Sequence, residues 1–141
     1  MQVVMLKMDA GHLLVPVSIV AQITSSSALA PYQGNLPFVR NSIAWRDYRV
    51  PVVNSSEMCG AAAGADDAFE RTVVLWPMRG AGASDLFGLT SQNSPRVVNI
   101  PADSAQAELP VTSEYVLGAV SVEGGLGIIP DLEKISRNLF G

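Results

Sequence analysis

Turn-forming residues cut this chain into short apolar pieces, and that spacing excludes most folds before any motif is considered. Gly, Pro, Asn, Asp and Ser recur at intervals of roughly eight to twelve residues. Between them lie runs at 3–8 (VVMLKM), 13–17 (LLVPV), 38–45 (FVRNSIAW), 49–53 (RVPVV), 71–78 (RTVVLWPM), 85–92 (DLFGLTSQ) and 96–100 (RVVNI). Pieces of this length, rich in β-branched residues, suit strands better than helices. About eight to ten such strands predict a mainly β fold, a sandwich or a barrel assembly.

Adjacent runs pair naturally into hairpins. The turn DAGH at 9–12 joins the first two, and RGAGAS at 79–84 joins 71–78 to 85–92. Residues 114–132 form the clearest hairpin, with Gly124-Gly125 as its turn. Ser18 is placed to cap a short helical turn in SIVAQI (18–23), and Asn54 with Glu57 has the spacing of a capping box leading through Met58 and Cys59. LEKISRNLF at 132–140 reads as a C-terminal helix with Leu132, Ile135 and Leu139 on one face. Lys134 and Arg137 lie toward its C-terminal half, where the helix dipole favours cations. Residues 25–37 and 101–110 read as loops, and 60–69 as a mobile loop whose Asp66, Asp67 and Glu70 are solvated. Three times an apolar strand carries a proline near its end and runs into a helical turn: LLVPVSIV, RVPVVNSS and GIIPDLEK. Proline lacks a ladder donor and belongs at such strand ends.

Composition narrows the function. Hydrophobic residues make up 48% of the chain, which excludes disorder, and 141 residues suit one domain spanning 1–141. Charged residues are only 16%, below the roughly 25% of typical domains, which leaves neutral and apolar surface for partners. The net charge is −4, and Lys7 and Lys134 are the only lysines. Neither nucleic acid nor an anionic membrane surface is an expected partner. The N-terminal stretch lacks a signal-peptide pattern, and no apolar run approaches the ~20 residues of a membrane span. Cys59 has no second cysteine to bridge, which agrees with a cytoplasmic location.

Chemistry is sparse. His12 is the sole histidine and lies in the first predicted turn, with no second base and no GxSxG elbow. Cys59 reads as a buried structural thiol. One Cys and one His make no zinc site, and the acidic residues at 66–70 lack the alternation of a calcium loop. The Gly-rich turn at 79–84 precedes a strand, unlike a phosphate-binding loop. Trp45, Tyr48 and Trp76 are too few for a base-stacking platform. No catalytic residue, metal or cofactor is expected, and a binding module is the better prior.

Residues 41–60, NSIAWRDYRVPVVNSSEMCG, place Arg46, Asp47 and Arg49 between two apolar runs. This segment resembles that of CheW-family adaptors, G-V-I-N-L-R-G-x-V-x-P-V-x-D-L followed by a short turn ending in Gly. Ile43, Arg46, Pro51-Val52 and Gly60 fall on its marked positions. LLVPVSIVAQI resembles the family's apolar-Pro-Val strand and V-x-E-V element, with Val20, Gln22 and Ile23 in its places. Phe87-Gly88-Leu89 matches its Gly-Leu strand, and Tyr115, Gly118, Gly124 or Gly125, Asp131 and Ile135 fit its closing element.

The resemblance implies two packed five-stranded SH3-like barrels and a non-catalytic chemotaxis adaptor. It implies two partners, the regulatory domain of a CheA-type histidine kinase and the cytoplasmic tip of a methyl-accepting chemoreceptor. The implied contact residues are Val20, Gln22, Ile23, Ile43, Arg46 and Asp47, with Asn41, Gly88 and Gly118 as structural turn positions. The chain diverges where Asn41 and Asp47 replace glycines and Ala44-Trp45 replaces Asn-Leu. Asn and Asp tolerate left-handed backbone, so Asp47 is expected to hold the turn that projects Arg46. Gln22, Asn54 and Gln92 stand at three carboxylate positions of the family. Arg49 matches nothing and is read as surface. The competing reading is a small-ligand-binding β-barrel with no kinase partner, which needs an apolar chamber of several hundred Å³.

Overall fold

The computed structural model describes residues 1–25, 29–109 and 113–141. Its strands are β1 (Gln2–Met8), β2 (Gly11–Pro16), β3 (Val20–Ser25), β4 (Ala30–Pro31), β5 (Val39–Trp45), β6 (Tyr48–Val53), β7 (Arg71–Leu75), β8 (Phe87–Ser91), β9 (Arg96–Asn99), β10 (Val116–Val122) and β11 (Gly125–Pro130). Among these residues, helix is limited to a 3₁₀ turn at Val17–Ile19, the single turn α1 (Ser55–Met58) and α2 (Leu132–Phe140). The chain is mainly β, and all three proline-bearing strands run into these helical elements. Residues 26–28 and 110, within the loops read at 25–37 and 101–110, lie outside the described residues, as do 111 and 112.

The strands form two sheets, ordered β10-β11-β2-β1-β9 and β3-β7-β8-β6-β5-β4. Pairing is antiparallel except between β11 and β2 and between β6 and β8. Each sheet curls around its own apolar cluster. Val3, Met5, Leu14 and Val122 fill the first, joined by Val98 from the opposite sheet edge. Ile43, Trp45, Val50, Val52, Phe69, Val74 and Leu86 fill the second. A third and larger cluster joins the sheets and takes Leu132, Ile135 and Leu139 from α2. The resemblance implied two five-stranded barrels. One sheet instead has six strands, the extra one being the two-residue β4, and no ladder among the described residues closes either curl.

Three differences from the sequence reading have local causes. The helical turn expected at 18–23 is shorter and earlier: it follows Pro16, ends at Ile19 and is not capped by Ser18. The alternative for 20–25 is a ladder with β7, and pairing satisfies more backbone groups there than a marginal helical turn would. His12 sits in β2 opposite Lys7 rather than in the turn, which is Asp9-Ala10. In the last hairpin the two loop residues are Glu123 (φ 51°) and Gly124 (φ 77°), while Gly125 already pairs in β11. Positive φ at both positions is the type I′ pattern, which matches strand twist.

Asn41, Gly88 and Gly118 lie inside strands, not in turns. Asn41 and Gly118 each follow an extra residue, Arg40 and Leu117, where the ladder slips by one. Such bulges re-aim a side chain. Gly88 serves close approach: a Cβ there would lie 2.5 Å from the Thr72 methyl on the paired strand.

Candidate functional site

The β5–β6 hairpin has two ends with opposite treatments of charge. At its tip, Trp45 pairs with Tyr48, so Arg46 and Asp47 form a two-residue loop. The positive φ falls on Arg46 (φ 53°) and not on Asp47, contrary to expectation. Positive φ at the first loop position alone is the φ pattern of a type II′ connection, where glycine is usual. A non-glycine residue there costs about 1–2 kcal/mol and persists only when its surroundings hold it.

The surroundings are aromatic. The Arg46 guanidinium carbon lies 4.5 Å from the centre of the Trp45 ring and 5.9 Å from that of Trp76. Trp45 meets Trp76 edge to face at 5.8 Å and stacks with Tyr48 at 6.5 Å. Trp45 is thereby 6% exposed, while Tyr48 and Trp76 remain 38% and 42% exposed. The buried indole N–H donates to Gln22 Oε1 at 2.7 Å, which ties the tip of β5 to edge strand β3. Among the described residues Arg46 and Arg49 make no ion pair.

The structure therefore brings Gln22, Arg46 and Asp47 to one end of the second sheet. Ile23, the next residue along β3, is exposed. Val20 is half-buried against the inter-sheet cluster. Ile43 is 3% exposed and belongs to the core, because β5 alternates inward at 43 and 45. It is not available to a partner. Sequence reasoning weighs Trp45, Tyr48 and Trp76 only as a base-stacking platform and misses their clustering at the hairpin tip, because Trp76 arrives from the end of β7.

At the other end of β6 the charge is hidden. Asp66, expected to be solvated, is 1% exposed. Its carboxylate accepts four hydrogen bonds: from the Ser56 amide (2.9 Å), the Ser56 hydroxyl (2.7 Å), the Thr90 hydroxyl (2.8 Å) and Gln92 Nε2 (2.9 Å). Gln92 donates also to Asp9, at 2.5 Å. Asn54 Oδ1 caps α1 by accepting from the Glu57 amide at 3.1 Å. The return arm of the expected capping box is absent: the Asn54 N–H goes to the Phe38 carbonyl, and the Glu57 carboxylate turns to Arg40 instead. That bidentate bond, at 2.7 and 2.6 Å, and a bond from the Gly64 amide hold the Glu57 carboxyl below its usual range. The three amides at family carboxylate positions thus each have a defined partner.

Neither candidate nucleophile nor base is activated. Burial, then the carboxylate of Asp66, pushes the Cys59 thiol up to about 12. Partial burial, with Lys7 and Arg96 nearby, lowers the His12 imidazole. Grooves lie on the surface. One of about 360 Å³ runs between residues 78–85 and α2, with Arg79, Asp85, Glu133 and Arg137 on its walls. One of about 350 Å³ carries Leu109, Leu117 and Ile129. A ligand-binding barrel holds its ligand within the curl, and here apolar side chains fill both curls.

Among the described residues no helix is long and apolar enough to cross a membrane. No curated protein matches the chain by sequence. Among solved structures it is similar to the scaffolding protein TtCheW from Thermoanaerobacter tengcongensis, with a TM-score of 0.71 and 18% identity over 93% of this chain and 84% of that one. At that identity the likeness speaks for the fold. The description "CheW-like domain" matches residues 2–140, essentially end to end, and the chain belongs to the CheW-like domain family.

Proposed function

We propose that this chain is a non-catalytic cytoplasmic adaptor of a chemosensory pathway, acting as one domain over residues 1–141. It couples the cytoplasmic tip of a chemoreceptor to the regulatory domain of a CheA-type histidine kinase through protein–protein contacts. The observation that carries this reading is Arg46. It falls on the family's motif arginine, stands exposed at a strained hairpin tip and has no carboxylate partner among the described residues. Strain held at a surface position is a mark of use rather than of stability. The family match over 2–140 supplies the adaptor context.

The test is interferometry with purified receptor-tip and kinase regulatory-domain fragments from the same genome. Wild type binds both. Arg46→Ala weakens the receptor contact about tenfold or more, as loss of a central arginine does, and leaves kinase binding unchanged. If Arg46→Ala and wild type bind the receptor equally, Arg46 is not a contact. If wild type binds neither fragment, the adaptor reading fails.

A further inference from the structure

The arginine tip of this chain is built unlike an ion pair, and the difference predicts what it recognises. Trp45 stands where the family motif has leucine, and a buried indole needs an acceptor for its N–H. Gln22, at a family glutamate position, is that acceptor at 2.7 Å. A neutral amide orients the indole without neutralising Arg46, which lies next to it. The guanidinium packs against Trp45 and Trp76 at 4.5 and 5.9 Å. Packing on the rings uses none of the N–H donors in an ion pair among the described residues, so they stay open to a planar acceptor. Arg40 shows the contrast, since Glu57 already takes a donor from each of its terminal nitrogens.

Around Arg46 the surface is aromatic: Trp76 and Tyr48 are 42% and 38% exposed. Resting on the adaptor reading above, we infer that Gln22, Trp45 and Trp76 make the tip a receptor for one carboxylate set among apolar side chains on the chemoreceptor tip. Charge complementarity fixes the acid, and the aromatic rim fixes its apolar setting. Gln22 is a positioning residue: it acts through Trp45 and keeps the charge on Arg46 available. Trp76 is a contact and specificity residue.

The experiment uses the full chain and the receptor-tip fragment by interferometry, with kinase-fragment binding and thermal unfolding as controls. Gln22→Glu places a carboxylate at the N–H of the indole that Arg46 packs against, within the chain itself. It weakens receptor binding about tenfold, with kinase binding and melting temperature unchanged. Trp76→Ala weakens receptor binding by a similar factor, and Trp76→Phe, which restores an aromatic face, recovers most of it. Arg46→Ala combined with Trp76→Ala costs less than the product of the two single losses, because the residues act as a unit. A receptor fragment whose tip carboxylates are changed to amides binds wild type and Arg46→Ala alike. If wild type binds the receptor but Gln22→Glu and Trp76→Ala bind equally well, the inference falls and the adaptor reading stands. Tighter binding by Gln22→Glu overturns it too, since the partner is then basic at this point. If wild type binds neither receptor nor kinase fragment, both readings fall. If Trp76→Ala does not fold, the surface change Gln22→Glu decides alone.

Discussion

The two ends of strand β6 hold charges of opposite sign in opposite ways. At one end Asp66 is buried and its carboxylate accepts four hydrogen bonds. At the other Arg46 is exposed, strained and unpaired among the described residues. Burial of a charge is tolerated only when every lone pair finds a donor. A satisfied group has nothing left to offer a partner. An unsatisfied group at the surface costs the fold little and keeps its donors. The difference separates a residue that builds the hairpin from one that the hairpin displays, although both lie in polar stretches of similar appearance.

The sharpest way to break this comparison is Asp66→Ala. It strips the acceptor from the Ser56 amide and hydroxyl, the Thr90 hydroxyl and Gln92 at once. Each buried donor left without a partner costs about 1–3 kcal/mol, so the expected loss of stability is about 3–5 kcal/mol after partial rearrangement. Denaturant unfolding measures it. Receptor affinity at a temperature where the variant is still folded stays at the wild-type value. A loss below about 1 kcal/mol means that water replaces the carboxylate and that this end is not buried as the hydrogen bonds indicate.

The exposed end answers with a smaller effect of different sign. Arg46→Gly removes the penalty of a side chain at φ 53°, whereas Arg46→Ala keeps it and loses the packing on Trp45. Glycine is therefore expected to be more stable than alanine here by about 1 kcal/mol. The usual order in strands and helices is the reverse. Both variants lose receptor binding equally. Should alanine prove the more stable, the tip adopts another turn in solution.

Much of the fold was legible because it rests on local signals. The helix at 132–140 follows from its apolar spacing, and the structure adds a cap that the spacing does not reveal, Asp131 Oδ1 accepting from the Lys134 amide. The strands follow from short β-branched runs between turn residues, and the motif around Arg46 falls on an exposed hairpin tip. What stayed hidden depends on contacts between distant residues. ADDAF looks like a solvated acidic loop until Thr90 and Gln92, from the strand β8 region, close over Asp66. Asp47 is the better left-handed residue by propensity, yet Arg46 takes that conformation because Trp45 and Trp76 hold its guanidinium. Ile43 was grouped with the contact residues by motif position, although strand alternation already turned it inward with Trp45.

Between these extremes sits Arg40, a bulge residue whose charge is paired at the surface. Its partner Glu57 is the better shielded of the two, with side chains 43% and 8% exposed respectively. The hydrogen bond from Arg40 and that from the Gly64 amide favour the carboxylate and depress its folded pKa below the ordinary 4.5. A depressed carboxylate adds stability that is fully present above its unfolded pKa and is lost as pH falls through the folded value. Wild type therefore loses stability below about pH 4.5 by a step that Glu57→Gln lacks, and the two unfolding curves converge in acid. Above that pH the variant is less stable by about 1 kcal/mol or less, since Arg40 is largely solvated and salt screens the pair. Raising the salt concentration at pH 7 narrows the same gap. An equal pH dependence in both proteins would show that the pair is open in solution, and that Arg40, like Arg46, keeps its donors free.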